Sequence, residues 1–385
     1  MKYEEILHRC FRCGWCKFTS DYSEFNCPSY RKYRFDTFAP GGRMWLIRAW
    51  LNGDIKNSER FQEIIFSCAT CGSCTVHCAF PFKEDLVNIF TAAREEIVNQ
   101  GHIPALVKSY FENVYRHGNP YKEPANERGA WAKDTPVEAY KGQEYLFYTG
   151  CVGSYDERGK KIAQAVGTVL VNAGVSMGIL GEREMCDGNE VRVLGEIGLF
   201  KYLAEKNINL FGELGIKKII TLDPHAFYAF KKEYPELGGK FKVYHYTQIL
   251  ASLIDSGKLA FIKPYNVKIT YHDPCYLGRH SSEFEAPRKI LRAIPGLELI
   301  EMKQSRENAF CCGGGGGNFF TDILGGGQDS PNRIRIREAF ETGAGIVAVA
   351  CPQCAKMLDD GIKSEDLDEK LQVMDIAEIV LKATA

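Results

Sequence analysis

No stretch of the 385 residues approaches the roughly 20 consecutive apolar positions that a membrane-spanning helix needs. An excess of charge is missing too: 48 Lys and Arg stand against 49 Asp and Glu, a net charge of −1. That balance leaves no strongly basic face, which argues against nucleic acid as a main partner. The first residues, MKYEEILHRC, have no apolar signal core, so export is not expected and a cytoplasmic location is. The glycine run 313–317 is followed by no Lys-Ser/Thr pair, which removes the phosphate-loop reading. What remains has the proportions of a globular protein long enough for two or three domains. Its one unusual quantity is 15 cysteines, at fixed short spacings that a secreted disulfide scaffold of this length would not need.

Two cysteine groups open the chain. The first is Cys10-x2-Cys13-x2-Cys16, followed by Cys27-Pro28; the second is Cys68-x2-Cys71-x2-Cys74-x3-Cys78, with Pro81 three residues on. Three thiolates at successive x2 spacings can wrap one iron–sulfur cube, because the chain turns back between ligands, and the fourth ligand comes from farther along. Zinc is the competing reading, but structural zinc sites use x2 pairs rather than triplets. Two [4Fe–4S] clusters are therefore expected. In two-cluster ferredoxins the fourth cysteine ligates the other cube. That pattern would join Cys78 to Cys10, Cys13 and Cys16, and Cys27 to Cys68, Cys71 and Cys74. Between the groups, Trp45, Leu46, Ala49 and Trp50 suggest a helix. After them, Leu86, Ile89, Phe90, Ala93 and Ile97 recur at helical spacing until Gly101 closes the run. Segments this long do not fit a compact βαβ-type ferredoxin. They resemble the α-helical ferredoxin module of heterodisulfide reductase and succinate dehydrogenase iron–sulfur subunits, here spanning 1–117. Trp15, Trp45 and Trp50 read as packing around the clusters rather than as electron relays.

Residues 118–143, rich in Pro, Gly and charge, read as a linker. Beyond them apolar strand-like runs at Tyr145–Thr149, Lys218–Leu222, Val267–Tyr271 and Ile346–Ala350 alternate with helical patterns, as in α/β units around a parallel sheet. The region looks duplicated, 144–262 against 263–385. Tyr148-Thr149-Gly150-Cys151 corresponds to His272-Asp273-Pro274-Cys275, Cys186-Asp187-Gly188 to Cys311-Cys312-Gly313, and Asp223-Pro224-His225-Ala226 to Cys351-Pro352-Gln353-Cys354. Adjacent cysteines diverge in regular structure and suit a larger, distorted cluster. Gly313 to Gly317 would let backbone pass close to it and aim N–H groups at its sulfides. Two buried thiols beside a flexible loop is the alternative. The Cys351-x2-Cys354 pair opens a helix, where the dipole favours thiolate, and taken alone it also fits a thioredoxin-like redox pair.

The pattern Cys275, Cys311-Cys312-Gly313, Cys351-x2-Cys354 resembles the CCG-domain family typified by the catalytic subunits of heterodisulfide reductase. With the ferredoxin module in front, the whole chain looks like the D-type subunit. The resemblance implies an α-helical ferredoxin module followed by a duplicated α/β (CCG) domain pair. It also implies a third, non-cubane [4Fe–4S] cluster on Cys275, Cys311, Cys312, Cys351 and Cys354. His272 and Asp273 are acid–base candidates beside it, with a hydrogen-bonded strand end as the alternative. The first repeat departs from the family: Asp187, Asp223 and Ala226 replace three ligands, leaving Cys151 and Cys186. Hard carboxylates suit such a cluster poorly, so none is expected there, and Cys151 and Cys186 read as buried small side chains. Asp187, Asp223 and His225 are candidates for proton handling or for structural hydrogen bonds. Arg333, Arg335 and Arg337, and Arg31, Lys32 and Arg34, offer docking for an acidic partner or merely a solvated face.

The expected function is an iron–sulfur electron-transfer subunit of a larger anaerobic redox complex, moving electrons between the cubane clusters and the C-terminal site. The alternative is a heterodisulfide-reductase-D-like enzyme reducing a disulfide or related sulfur substrate there. The resemblance implies other redox subunits as partners, with docking to a membrane or flavoprotein subunit, and extends to the D-like subunit of class II benzoyl-CoA reductase complexes.

Overall fold

The structure is a computed structural model that describes residues 1–261 and 263–384. The domain boundary expected at 262 and the final residue, 385, lie outside the described residues.

Helices and turns build the N-terminal part. Pro28–Tyr33 starts on a proline directly after Cys27, where the missing N–H costs nothing. Glu59–Phe66 begins where the Ser58 hydroxyl accepts from the Phe61 N–H. The helix expected to stop at Gly101 runs Leu86–Asn99; Gly101 takes φ +76° and donates to the Val98 carbonyl at 2.9 Å. Met44, Ile47 and Trp50 of Pro40–Leu51 pack with Phe61, Ile65, Ile89 and Phe90 in one apolar core. Removing these side chains from water stabilises the module by roughly 1.5–3 kcal/mol each.

Two parallel sheets follow. In the first, β1 (Tyr145–Tyr148), β2 (Met177–Gly178), β3 (Lys218–Thr221) and β4 (Lys242–His245) lie in the order β2-β1-β3-β4. In the second, β5 (Val267–Tyr271), β6 (Leu297–Leu299), β7 (Ile346–Val349) and β8 (Gln372–Asp375) repeat that order as β6-β5-β7-β8. The four runs read from the sequence are the central pairs β1, β3, β5 and β7. Helices cover both faces of such strands, which is why they are continuously apolar. The edge strands were not legible: β2 is two residues long and β6 reads Leu-Glu-Leu.

The segment read as a linker is packed. Its short helix Ala125–Ala132 buries Arg128 and Trp131, with Trp131 edge-on to Phe147 of β1 at 5.9 Å. Ala139 then bridges Ile179 beside β2. Trp131 and Val137 are too widely spaced to show a period, so the segment looked like a tether.

The parts meet through backbone. Arg94, fully buried, donates to the carbonyls of Ile65, Phe66, Cys68, Val193 and Gly316, joining the second cysteine loop to both repeats. A Cβ on Gly315 would lie 2.5 Å from the Ala69 oxygen, and one on Gly316 2.3 Å from the Cys68 oxygen. Close approach to the N-terminal module therefore requires glycine at both positions. The repeats are tied by Arg158, which holds Glu378 through two bonds of 2.6 Å and reaches Asp359 at 3.2 Å.

Gly316→Ala is expected to destabilise the protein by about 2–4 kcal/mol, since it adds the backbone clash to a left-handed φ of +66°. Gly326→Ala, with nothing within 4 Å, is the near-neutral control. Denaturant unfolding compares the two.

Candidate metal centres

Turn geometry gathers the N-terminal thiols. Gly14 at φ +84° and Gly72 at φ +70° reverse the chain inside each x2 series. Cys10, Cys13, Cys16 and Cys78 line one cavity walled by Met44, Phe80, Phe82 and Leu86. The Cys74 thiol lies near Cys68, Cys71, Cys16 and Cys27, and Cys27 lies near both Cys71 and Cys16. Burial pushes Cys16 up to about 12 and raises Cys10, Cys27, Cys74 and Cys78 as well. Soft donors gathered at close quarters, with Cys16, Cys27, Cys71 and Cys74 buried, are a set that a metal cluster fits: bound cations deprotonate thiols outright. Arg43, which sequence reasoning passed over, is fully buried beside Cys27 and donates to the Ile64 and Phe38 carbonyls at 2.8 and 2.6 Å. Trp45 donates from Nε1 to the Cys10 carbonyl at 2.7 Å, Trp50 packs on Phe61, and Trp15 lies against Tyr22 at the surface.

The C-terminal cysteines lie at the carboxyl ends of β5 and β7. There the strand order switches direction, and open α/β sheets bind ligands at such a point. Cys275 follows β5, and Cys351 follows β7 as the cap of Pro352–Ser364, its Sγ accepting from the Cys354 N–H at 3.4 Å. Cys312 and Cys354 sulfurs are 3.4 Å apart, and the Gly313 N–H meets the Cys311 sulfur at 3.3 Å. Cys275 packs with Cys311 in one buried cluster, so the five cysteines gather at one place. Bonds from Cys311, Cys354 and His272 hold the Cys312 thiol well below its ordinary range.

Of the two acid–base candidates, only His272 faces the sulfurs. Arg335 donates from Nε to His272 Nδ1 at 3.0 Å; an arginine can only donate, so the imidazole proton sits on Nε2. One ring nitrogen lies within 4.8 Å of the Cys312 and Cys354 sulfurs, and burial lowers the ring's basicity. Asp273 is taken up elsewhere. Its carboxylate binds both ends of Arg288, at 2.6 and 2.9 Å, and accepts from the Arg306 N–H at 2.8 Å. The expected arginine docking face dissolves as well. Arg333 and Arg337 both bind Glu365, while Arg335 is fully buried. The alternation 333, 335, 337 along a helix was the available signal that one of the three points inward. Lys32 is spent on the carbonyls of Leu324, Gly325 and Gly326, Arg31 reaches Glu24 at 3.5 Å, and Arg34 is exposed.

The first repeat reproduces the frame with other atoms. The Gly188 N–H meets the Cys186 sulfur at 3.4 Å, as Gly313 meets Cys311. Asp223 caps its helix by accepting from the His225 N–H at 2.7 Å, as Cys351 accepts from Cys354. Asp187, Asp223 and Ala226 occupy the other ligand positions, where a carboxylate or a methyl group cannot replace a thiolate.

The second N-terminal group abuts the C-terminal site. Ala69, Cys71, Cys275, Tyr276 and Cys311 form a small buried cluster of their own, which brings Cys71 beside Cys311. Arg279 spans it, donating to the Cys71 and Ala309 carbonyls at 2.8 and 2.5 Å, with Cys71, Cys275 and Cys311 all facing its charge. Its Nη2 is buried without a partner.

Two family models match the chain: a cysteine-rich domain over residues 145–231 and again over 269–359, and a 4Fe-4S dicluster domain over residues 6–81. The chain is 33% identical over 398 residues to the D-type subunit of the dihydromethanophenazine:CoB--CoM heterodisulfide reductase of Methanosarcina barkeri, covering 98% of itself and 94% of that protein. It is 37% identical to "Probable iron-sulfur-binding oxidoreductase FadF" of Bacillus subtilis over 84% of its own length. It is also 37% identical to "EtfAB:quinone oxidoreductase" of Syntrophomonas wolfei over 98%. It spans only 47% and 58% of the length of those two relatives. A crystal structure of a hypothetical protein from Helicobacter pylori superposes over 100% of the chain and 73% of its own at a TM-score of 0.56 and 11% identity, a likeness of fold alone. No helix among the described residues is long and apolar enough to cross a membrane.

Asp273→Asn is expected to cost about 1.5–3 kcal/mol in denaturant unfolding, because it removes one of the two carboxylates that hold the buried Arg288 guanidinium and leaves Glu301. The iron content of the folded protein stays unchanged, since that carboxylate faces away from the sulfurs.

Proposed function

This chain belongs to the CCG-domain iron–sulfur oxidoreductases, in the branch that holds the D-type subunits of heterodisulfide reductase, and we propose that it is the electron-transfer subunit of a larger redox complex. The contact between Cys71 and Cys311 carries the reading, because it leaves no protein layer between the second N-terminal cysteine group and the C-terminal one. The proposed organisation is a dicluster domain in 1–117, a connecting segment in 118–143, and repeats in 144–262 and 263–385. Cys10, Cys13, Cys16 and Cys78 would hold one [4Fe–4S] cluster, and Cys27, Cys68, Cys71 and Cys74 a second. Cys275, Cys311, Cys312, Cys351 and Cys354 would hold a third, of non-cubane type. Bound clusters of this kind supply one-electron redox centres whose potentials follow burial and hydrogen bonds to sulfur.

The chain's own groups do the rest. Exposed Cys13 and Phe11 bring the first cysteine group to the surface, where a partner subunit can approach. Arg279 holds a positive charge between the second group and the third, with one N–H free for a sulfur acceptor. Arg335 fixes the His272 tautomer with the proton on Nε2, a buried N–H left free beside the Cys312 and Cys354 sulfurs. The relatives' names, a heterodisulfide reductase component and a quinone oxidoreductase, support redox subunits as partners.

Anaerobic purification should return about 12 irons per chain. A count near 8 would remove the C-terminal cluster, and stoichiometric zinc would overturn the reading. Arg279→Gln is expected to lower the potentials of the second and third centres by an amount on the order of tens of millivolts while the first stays put. EPR-monitored redox titration reads all three. Disulfide reduction that Cys312→Ser abolishes would instead make the chain an enzyme acting at that site.

A further inference from the structure

Cys151 and Cys186 remain in a repeat that has lost its other soft donors, and their surroundings are not those of two inert thiols. Their side chains line one cavity of about 20 Å³, large enough for one water and too small for a substrate. Arg128, only 2% exposed, brings Nη2 to 3.5 Å from the Cys151 sulfur. Its Nε is fixed by Glu184 at 3.1 Å, and Glu184 is itself held by the N–H groups of Thr149 and Gly150 at 3.1 and 3.0 Å. The Cys186 sulfur accepts from the Gly188 N–H at 3.4 Å. The closeness of the two thiols and the charge of Arg128 hold Cys151 below its ordinary range, while Cys186 lies above its own. A low-lying thiolate beside a protonated neighbour is the arrangement that thiol–disulfide chemistry uses.

The same cavity reaches the C-terminal cysteine site. Gln353, between Cys351 and Cys354 in sequence, lines it, and so does His225, whose ring comes within 4.8 Å of the Cys351 sulfur. Gln353 Oε1 and His225 Nε2 are buried there without a hydrogen-bond partner. Asp187 and Glu190 complete its polar wall.

We propose that Cys151 and Cys186 form a redox-active dithiol–disulfide pair that stores two electrons next to the C-terminal cysteine site. On oxidation the Cys151 thiolate and the Cys186 thiol form one S–S bond. One proton leaves Cys186 into the cavity, and two electrons pass, one at a time, to an iron–sulfur centre as acceptor. Reduction reverses each change. The pair would thus convert one-electron traffic into a two-electron store. The proposal rests on the reading above only for that one-electron partner.

The test uses the anaerobically purified full chain, poised with mediators at a series of potentials, quenched in acid under argon, alkylated and digested. At reducing poise both cysteines should be alkylated; at oxidising poise a disulfide-linked peptide pair should replace them, in wild type but not in Cys186→Ser. Reductive titration should then find wild type taking up two more electrons than Cys186→Ser. Full alkylation of both at every potential, with iron and EPR signals intact, overturns the proposal. Loss of iron and EPR signals would instead defeat the cluster reading, while the thiol count still reports on the pair. The wild-type trapping needs no variant, so a poorly folding Cys186→Ser leaves it decisive.

Discussion

Backbone meets backbone where the carbonyls of Cys68 and Ala69 lie against Gly315 and Gly316, and no side chain fits between them. Arg94 closes the same seam by binding Cys68 on one side and Gly316 on the other. Everything that makes one path of the cysteine groups depends on this approach. It brings Cys71 to Cys311, seats Arg279 over both, and sets the N-terminal module against both repeats. A bulkier residue at either glycine would move two cysteine groups apart at once.

The second constraint is charge. A net charge of −1 hides a strong internal asymmetry. Arg43, Arg94 and Arg279 donate mainly to carbonyl oxygens, so their charges stay uncompensated among the thiols. Such positive charge suits thiolates and anionic clusters. Lysine would serve poorly here, because only the planar guanidinium reaches several carbonyls at once. Arg128, Arg288 and Arg335 form a different set, each held by a carboxylate and each orienting something else: a thiol, a strand end, an imidazole.

The duplicated frame has two fates. Both repeats keep a glycine N–H on a cysteine sulfur and a side-chain cap at the end of the third strand. In the second repeat every polar position of the frame is a thiol. In the first, carboxylates and an alanine have taken over, leaving one thiol pair with its own arginine. Losing ligands changed what that half can hold without changing how it folds, because an oxygen caps the first turn of its helix as a sulfur does in the other repeat, two residues on at His225 and three residues on at Cys354.

The sequence alone determined what depends on near neighbours. Turn-forming spacings declared the cysteine groups, continuous apolar runs declared β1, β3, β5 and β7, and matched motifs declared the duplication. All three follow from local backbone geometry and burial, which a few consecutive residues specify. Only the tertiary structure decided what depends on residues far apart. Asp273 turned to Arg288 while His272 kept the sulfurs; Arg335 turned inward as its neighbours turned out; Gly315 and Gly316 met the N-terminal module while Gly313 met the Cys311 sulfur; the segment 118–143 packed along a sheet. Which of two adjacent side chains faces a site is settled by what packs against each, and those partners lie up to hundreds of residues away in the chain.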